Sequence, residues 1–301
     1  MNQDAAAQSE PVADLSSSRL GVVGAGVMAE AMIAGLLHRG LLSSSQVVCS
    51  HPRAERAREL EDRFGVTVVA DNTEVARGAD ILLLAVKPQV LPRVLRQLRG
   101  AVGPETLVIS IVAGASSSTL SSRLEHRAIV RTMPNTPAQI GAGVTVWFAT
   151  PEVSPEAKSQ VRALLSALGT ELEVEEERSV AMATAVSGTG PTYTFLFSES
   201  LVEAAVHLGF PRHLARLLVL ETLRGSIEFA IQTGEHPAQL RDMVTSPGGT
   251  SAEALAALER GRFRTVIADA VWAAFRRTLQ LEASLEEGHP GTAPTDPAPS
   301  S

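Results

Sequence analysis

Residues Arg19–Gly40 read RLGVVGAGVMAEAMIAGLLHRG, and the remaining elements arrange themselves around this stretch. Leu20 to Val23 is a short apolar run of the kind buried on both faces of a parallel sheet. Gly24-Ala25-Gly26-Val27-Met28-Ala29 follows without a spacer, and apolar residues at Met28, Met32, Ile33, Leu36 and Leu37 give the next helix its inner face. G-x-G-x-x-A between a strand and a helix is the dinucleotide fingerprint in the context it requires. Gly24 permits the tight turn, Gly26 lets a pyrophosphate approach the backbone, and Ala29 is small enough for the helix to lie on the sheet. The helix N-terminus adds free N–H groups and a positive dipole end. A glycine turn that merely packs is the plainer reading; the strand–helix frame favours a nucleotide.

A chain of 301 residues, 45% hydrophobic and 20% charged, is long enough for two domains and a substantial core. Its net charge of −7 argues against a nucleic-acid partner, which needs a basic surface. The single cysteine, Cys49, excludes an intramolecular disulfide framework and a cysteine-rich metal site, and no metal is expected. No stretch is apolar enough to span a bilayer, and residues 1–18 fit neither a signal nor a transit peptide. The expectation is a soluble, cytoplasmic protein with a disordered leader (1–18) and a disordered Pro/Ser/Ala-rich tail (288–301).

Between these ends the pattern is α/β: an N-terminal Rossmann-type dinucleotide-binding domain (19–175) followed by a C-terminal all-helical domain (176–287). Strands are predicted at 46–50, 67–69, 81–86, 107–112, 128–132, 144–148 and 171–174, with helices at 54–64 and 155–168. Strand two ends in Cys49-Ser50-His51-Pro52-Arg53, with no acid until Glu55. An NAD-preferring unit usually places Asp or Glu there for the ribose 2′-hydroxyl. Ser50 could donate to a 2′-phosphate and Arg53 pair with it, with help from His51, so NADP(H) is favoured and NAD(H) stays possible. Asn72 could cap the turn that follows or reach the adenosine. Lys87, after the strand ending Ala85-Val86 and before Pro88, stands where strand ends meet the ligand crevice. The chain has only two lysines, Lys87 and Lys158. Ala113 and Gly114 follow another strand end. Asn135 and Thr136 are fixed between Pro134 and Pro137, a rigid turn that suits either structure or the nicotinamide end of the crevice.

The acidic run Glu173–Arg178 marks the boundary to the helical region. Helices at 192–208 and 211–232 are apolar over much of their circumference, which calls for burial between subunits and hence an obligate homodimer. Chemistry concentrates at Val244-Thr245-Ser246-Pro247-Gly248-Gly249-Thr250-Ser251, which leads into a helix at 252–260. Gly248 and Gly249 free the backbone to present successive N–H groups beside the hydroxyls of Ser246, Thr250 and Ser251, an anion pocket suited to a carboxylate. A simple helix cap would account for one hydroxyl but not for the whole run.

Taken together these segments resemble pyrroline-5-carboxylate reductase. The resemblance rests on GVVGAGVMAEAM, DILLLAVKPQ, VRTMPNTPAQIGAG, SGTGPTY, HPAQLRDMVTSPGGTSAEAL and GRFRTVIADAVWAAFRRTLQL, in order over about residues 19–282. It implies that Val23, Gly24, Ala25, Gly26, Val27, Met28, Ala85, Val86, Lys87 and Pro88 bind NADP(H), with His51 and Asn72 by the adenosine. Val112, Ala113 and Gly114 would lie near the nicotinamide. Val244, Ser246, Gly248, Gly249, Thr250 and Ser251 would bind 1-pyrroline-5-carboxylate, Thr250 and Ser251 acting in catalysis. It also implies dimers that assemble into a larger ring. Two positions depart from the family pattern: Ser251 replaces the usual Thr and loses the methyl that fixes its rotamer, and Thr192 replaces the Ala of GPAY.

Two rivals remain at this level. The 3-hydroxyacid dehydrogenases are similar in layout but use a lysine of the helical domain, and from Ser179 onward this chain has none. A non-catalytic NADP-binding sensor is opposed by the intact SPGGTS run.

Overall fold

The computed structural model describes residues 15–287. The chain forms two compact units, one from residues up to Gly188 together with those from Ala274 onward, the other from Thr189–Ala273.

The first unit is built on an eight-stranded sheet, β1 (Leu20–Val23), β2 (Val47–Ser50), β3 (Thr67–Val69), β4 (Ile81–Leu84), β5 (Leu107–Ser110), β6 (Ile129–Met133), β7 (Gly143–Ala149) and β8 (Gly169–Glu173). The order is β3-β2-β1-β4-β5-β6-β7-β8. The pairs from β3 through β6 are parallel, β7 runs antiparallel to β6, and β8 is parallel to β7. The chain winds outward from β1 to β3 and then crosses to β4 on the other side. The carboxyl ends of β1 and β4 therefore flank a topological switch point, where such sheets bind ligands.

Every residue of β1, β4 and β5 is buried, because both faces are covered. Alternate strand residues point to opposite faces. Leu20, Val22, Ile81 and Leu83 meet Met32, Ile33 and Leu36 of α1 (Val27–His38), Leu60 of α2 (Ala54–Phe64) and Val161, Leu164 and Leu165 of α6 (Pro155–Ser166). Val23, Leu82 and Leu84 meet α3 (Asn72–Arg77), α4 (Leu91–Leu98) and α5 (Ser117–Leu124) through Val75, Leu91, Leu95 and Leu120. Each such side chain contributes roughly 1.5–3 kcal/mol by leaving water. The three short helices on this second face were not anticipated from the sequence.

A short helix α7 (Arg178–Ala183) and a widened turn over Thr184–Gly188 close the sheet unit. The helical unit then holds α8 (Gly190–His207), α9 (Arg212–Thr233), α10 (Pro237–Met243), α11 (Thr250–Arg260) and the beginning of α12 (Phe263–Glu286). Pro191 lies in the first turn of α8, where its missing N–H costs nothing. The Phe197 and Phe263 rings pack at 6.0 Å between centroids.

The expected leader and tail lie largely outside the described residues. Leu15 to Ser18 are described and are held in place: Leu15 is buried in the core, and Gln46 Nε2 donates to the carbonyls of Leu15, Ser16 and Ser18. That four-residue piece is packed, which corrects the leader reading there. An apolar side chain at Leu15 and a three-carbonyl anchor outweigh the polar composition around them.

Candidate functional site

Gly24 takes φ +93°, and a Cβ there would come within 2.5 Å of a Val86 methyl and 2.9 Å of the Val86 nitrogen. Only glycine fits, both for the left-handed backbone and for the crossing of β1 past the end of β4. Gly26 differs, because nothing lies within 4 Å of a Cβ built on it. It is the N-cap of α1 and gives that helix no side-chain cap, while the neighbouring Val27 is 64% exposed. The result is an open hollow in front of an uncapped helix N-terminus, the shape and polarity a pyrophosphate needs. Ala85 and Val86 line the turn opposite, beyond the end of β4. Lys87 is exposed and has no ion partner among the described residues, so its charge is free to meet phosphate.

At the end of β2, Ser50 is 2% exposed and its hydroxyl donates to Asn72 Oδ1 at 2.7 Å. Asn72 Nδ2 donates in turn to Gln97 Oε1 at 2.8 Å. The cap of α3 is Asp71, which accepts from the Thr73 N–H and hydroxyl; those bonds hold its carboxyl below the usual range. Asn72 is thereby relieved of capping. His51 accepts the Arg53 N–H through Nδ1, and the Arg53 side chain is exposed. Arg56 is different: Glu59 and Glu30 raise its pKa, and Glu30 also binds Arg63. In this arrangement the Ser50 proton is committed to Asn72, and Arg53 and His51 are the groups at this corner able to meet a 2′-phosphate.

Beyond β5, Gly114 (φ +77°) sits so close to α12 that a Cβ would meet Leu281 Cβ at 2.8 Å. The loop from Val112 to Ser117 is further held by Glu177, which accepts from the Ser117 N–H at 2.6 Å and its hydroxyl at 2.5 Å. Asn135 spends both ends of its amide on backbone: Oδ1 accepts from Val144 N at 2.9 Å, and Nδ2 donates to the Ser187 carbonyl at 3.2 Å. Its visible role is to tie the turn before Thr136–Ile140 to the end of the sheet unit. Cys49 is buried, and burial pushes its thiol up to about 12, which removes it as a nucleophile.

In the helical unit, Gly248 adopts φ +70° and Gly249 is the N-cap of α11. Gly249 N–H donates to the Ser246 carbonyl at 3.0 Å, closing a tight turn in which a Cβ on Gly249 would meet Ser246 Oγ at 2.5 Å. The helix has no side-chain cap. The hydroxyls of Ser246, Thr250 and Ser251, all exposed, have no hydrogen-bond partner among the described residues. A pure capping role, the plain alternative, is therefore unfilled. Three hydroxyls and an uncapped helix N-terminus form a surface with donors to spare, suited to a carboxylate. Val244 beside them is exposed and apolar.

Gln97, Arg131, Glu177 and Glu282 gave no signal in the sequence. Gln97 stands on the exposed side of a helix too short to stand out, and the three charged groups pair across 46 and 151 residues of chain.

Known proteins resemble both units. Residues 19–114 match the family model described as NADP oxidoreductase, coenzyme F420-dependent, and residues 177–281 match pyrroline-5-carboxylate reductase dimerisation. The chain is 43% identical over 265 residues to a pyrroline-5-carboxylate reductase of Synechocystis sp., covering 88% of this chain and 98% of that one. The corresponding protein of Escherichia coli is 36% identical over 267 residues, covering 88% and 99%. The crystal structure of Plasmodium falciparum pyrroline carboxylate reductase with NADP bound gives a TM-score of 0.82 at 30% identity, covering 89% of this chain and 99% of that chain. Identity at this level, over nearly the whole length of these relatives, places the chain in the pyrroline-5-carboxylate reductase family.

Proposed function

We propose that the protein carries out the reaction for which its family is named, NAD(P)H-dependent reduction of 1-pyrroline-5-carboxylate to L-proline, with NADPH preferred. The observation that carries the substrate half is the uncapped start of α11 with the unpartnered hydroxyls of Ser246, Thr250 and Ser251. The open hollow at Gly26 fits a dinucleotide pyrophosphate. Val23–Met28 and Ala85–Pro88 would hold the dinucleotide, with Lys87 compensating phosphate charge, and Val112–Gly114 would flank its nicotinamide. Asn72, Ser50, His51 and Arg53 would surround the adenosine ribose.

When bound, the dinucleotide supplies a hydride to the imine carbon. The protein supplies placement. N–H groups of α11 and the Ser246 and Thr250 hydroxyls hold the carboxylate, and Ser251 Oγ accepts a hydrogen bond from the N–H of the protonated ring nitrogen. A protonated imine is already electrophilic, so the nitrogen keeps its proton as the carbon accepts the hydride, and no strong general acid is required. Orientation of the two reactants is then the main catalytic contribution.

The helical unit exposes Phe195, Leu196, Leu217, Ile227 and Ile231. A monomer does not leave so large an apolar surface in water. We assign this surface to a homodimer, the building block of a larger ring.

The test follows NADPH absorbance on addition of 1-pyrroline-5-carboxylate for the parent and for Ser251→Ala. Oxidation by the parent, slowed about ten- to hundred-fold in the variant, is the expected result. Unchanged turnover in Ser251→Ala would remove Ser251 from its role, and no oxidation with NADPH or NADH would refute the reductase.

A further inference from the structure

Ser50 closes β2, Asn72 opens α3 and Gln97 lies on α4, so one hydrogen-bond chain joins three elements of the sheet unit. A serine hydroxyl has one proton. While Asn72 Oδ1 accepts it, Ser50 can only accept from a ligand, which suits a ribose hydroxyl and not a phosphate oxygen.

A second arrangement uses the same heavy-atom positions. With both amides turned by half a rotation, Gln97 Nε2 donates to Asn72 Oδ1 and Asn72 Nδ2 donates to Ser50 Oγ. The Ser50 proton is then free for an anionic acceptor. Ser50 is nearly sealed from water and Gln97 is exposed. Gln97 can therefore reverse with water satisfying whichever half faces outward, and the inner members follow.

We propose that Gln97 is a positioning residue that sets the direction of the Ser50–Asn72–Gln97 chain, and with it the choice between a 2′-phosphorylated and an unphosphorylated dinucleotide. The inference rests on the cofactor site assigned above. Arg53 and His51 attract a 2′-phosphate in either arrangement, so Gln97 tunes the preference and does not create it.

Gln97→Glu offers acceptors only and holds the chain in the direction that leaves Ser50 an acceptor. Fluorescence titration of the full-length protein with NADPH and with NADH should show the NADPH:NADH affinity ratio falling roughly three- to ten-fold. Gln97→Lys offers donors only and should raise the ratio. Both substitutions also change charge, so each is repeated with Asn72→Ala, or with Asn72→Ser should the alanine variant not fold. The expected result is that neither Gln97 variant then moves the ratio. A shift that persists without Asn72 is a plain charge effect and overturns the proposal, as does no shift in either background. Failure of the parent to bind either dinucleotide would instead refute the cofactor site itself.

Discussion

Arg131 of β6 and Glu282 of α12 form an ion pair in which the guanidinium is only 4% exposed. The other side of the same guanidinium meets Glu177 at 3.0 Å, and Glu177 also holds Ser117. One arginine thus gathers β6, the start of α7, the end of α12 and the loop after Gly114.

Removing that arginine leaves two carboxylates facing each other without a counter-charge. Breaking a buried pair from one side typically costs about 3–5 kcal/mol. Arg131→Leu is expected to lose stability on that scale in urea denaturation, and a loss below about 1 kcal/mol would mean that Glu177 and Glu282 find other partners.

The two glycines of the opening turn should respond in opposite ways. Gly24→Ala places a Cβ 2.5 Å from a Val86 methyl in a left-handed conformation, so thermal stability should fall sharply. Gly26→Ala meets nothing within 4 Å at φ −83°. It should keep or slightly gain stability, by about 0.4–1 kcal/mol, while NADPH binding weakens because the methyl fills the phosphate hollow. Equal loss of binding and stability in both variants would show that Gly26 is structural.

His126, between α5 and β6, is buried, and its Nε2 has no hydrogen-bond partner among the described residues. Burial lowers its pKa below 6.5, against smaller opposing effects of the Thr106 backbone and Glu105. Between the lowered value and 6.5 the unfolded chain binds a proton that the folded chain does not. Its contribution to stability is therefore complete above 6.5 and is lost as pH falls. Comparing thermal midpoints of parent and His126→Gln at about pH 5 and about pH 7.5 should show a steeper acid loss in the parent; parallel curves would exclude His126 as the cause.

Leu217 and Ile231 of α9 are 57% and 75% exposed. Leu217→Glu combined with Ile231→Glu should lower the mass measured by analytical ultracentrifugation to that of a smaller assembly. An unchanged mass would place the subunit interface on another surface.

The elements easiest to read were those whose signal is local. β1, α2 and β3 begin and end where their apolar runs and the Arg53–Ala54 and Phe64–Gly65 boundaries place them. α8 begins at Gly190, two residues before the expected 192, with Pro191 in its first turn. β4 and β5 stop two residues before their apolar runs do, with Ala85 and Ile111 making the last cross-strand bonds, to the Val23 and Leu84 carbonyls, before the chain turns. What stayed hidden depends on distant pairing. The acidic run at 173–178 reads as a domain boundary, yet Glu177 near its end is half of the Arg131 clamp. Asn72 could not be resolved as cap or ligand group until Asp71 was seen in the capping position. In the helical unit the SPGGTS run was conspicuous as sequence because nothing structural asks for three hydroxyls, and all three are left without a hydrogen-bond partner among the described residues.

The chain leaves the sheet unit at Gly188 and returns to it at Ala274. During synthesis all eight strands therefore exist before α12 has been made. Until it emerges, the cover over Gly114, the second acid of Arg131 and the apolar seat filled by Leu285 are missing. A nascent chain halted in the helical unit would carry the entire nucleotide turn and still be a client for chaperones. Translation of α12, rather than completion of the sheet, is the step at which this half of the protein can become native.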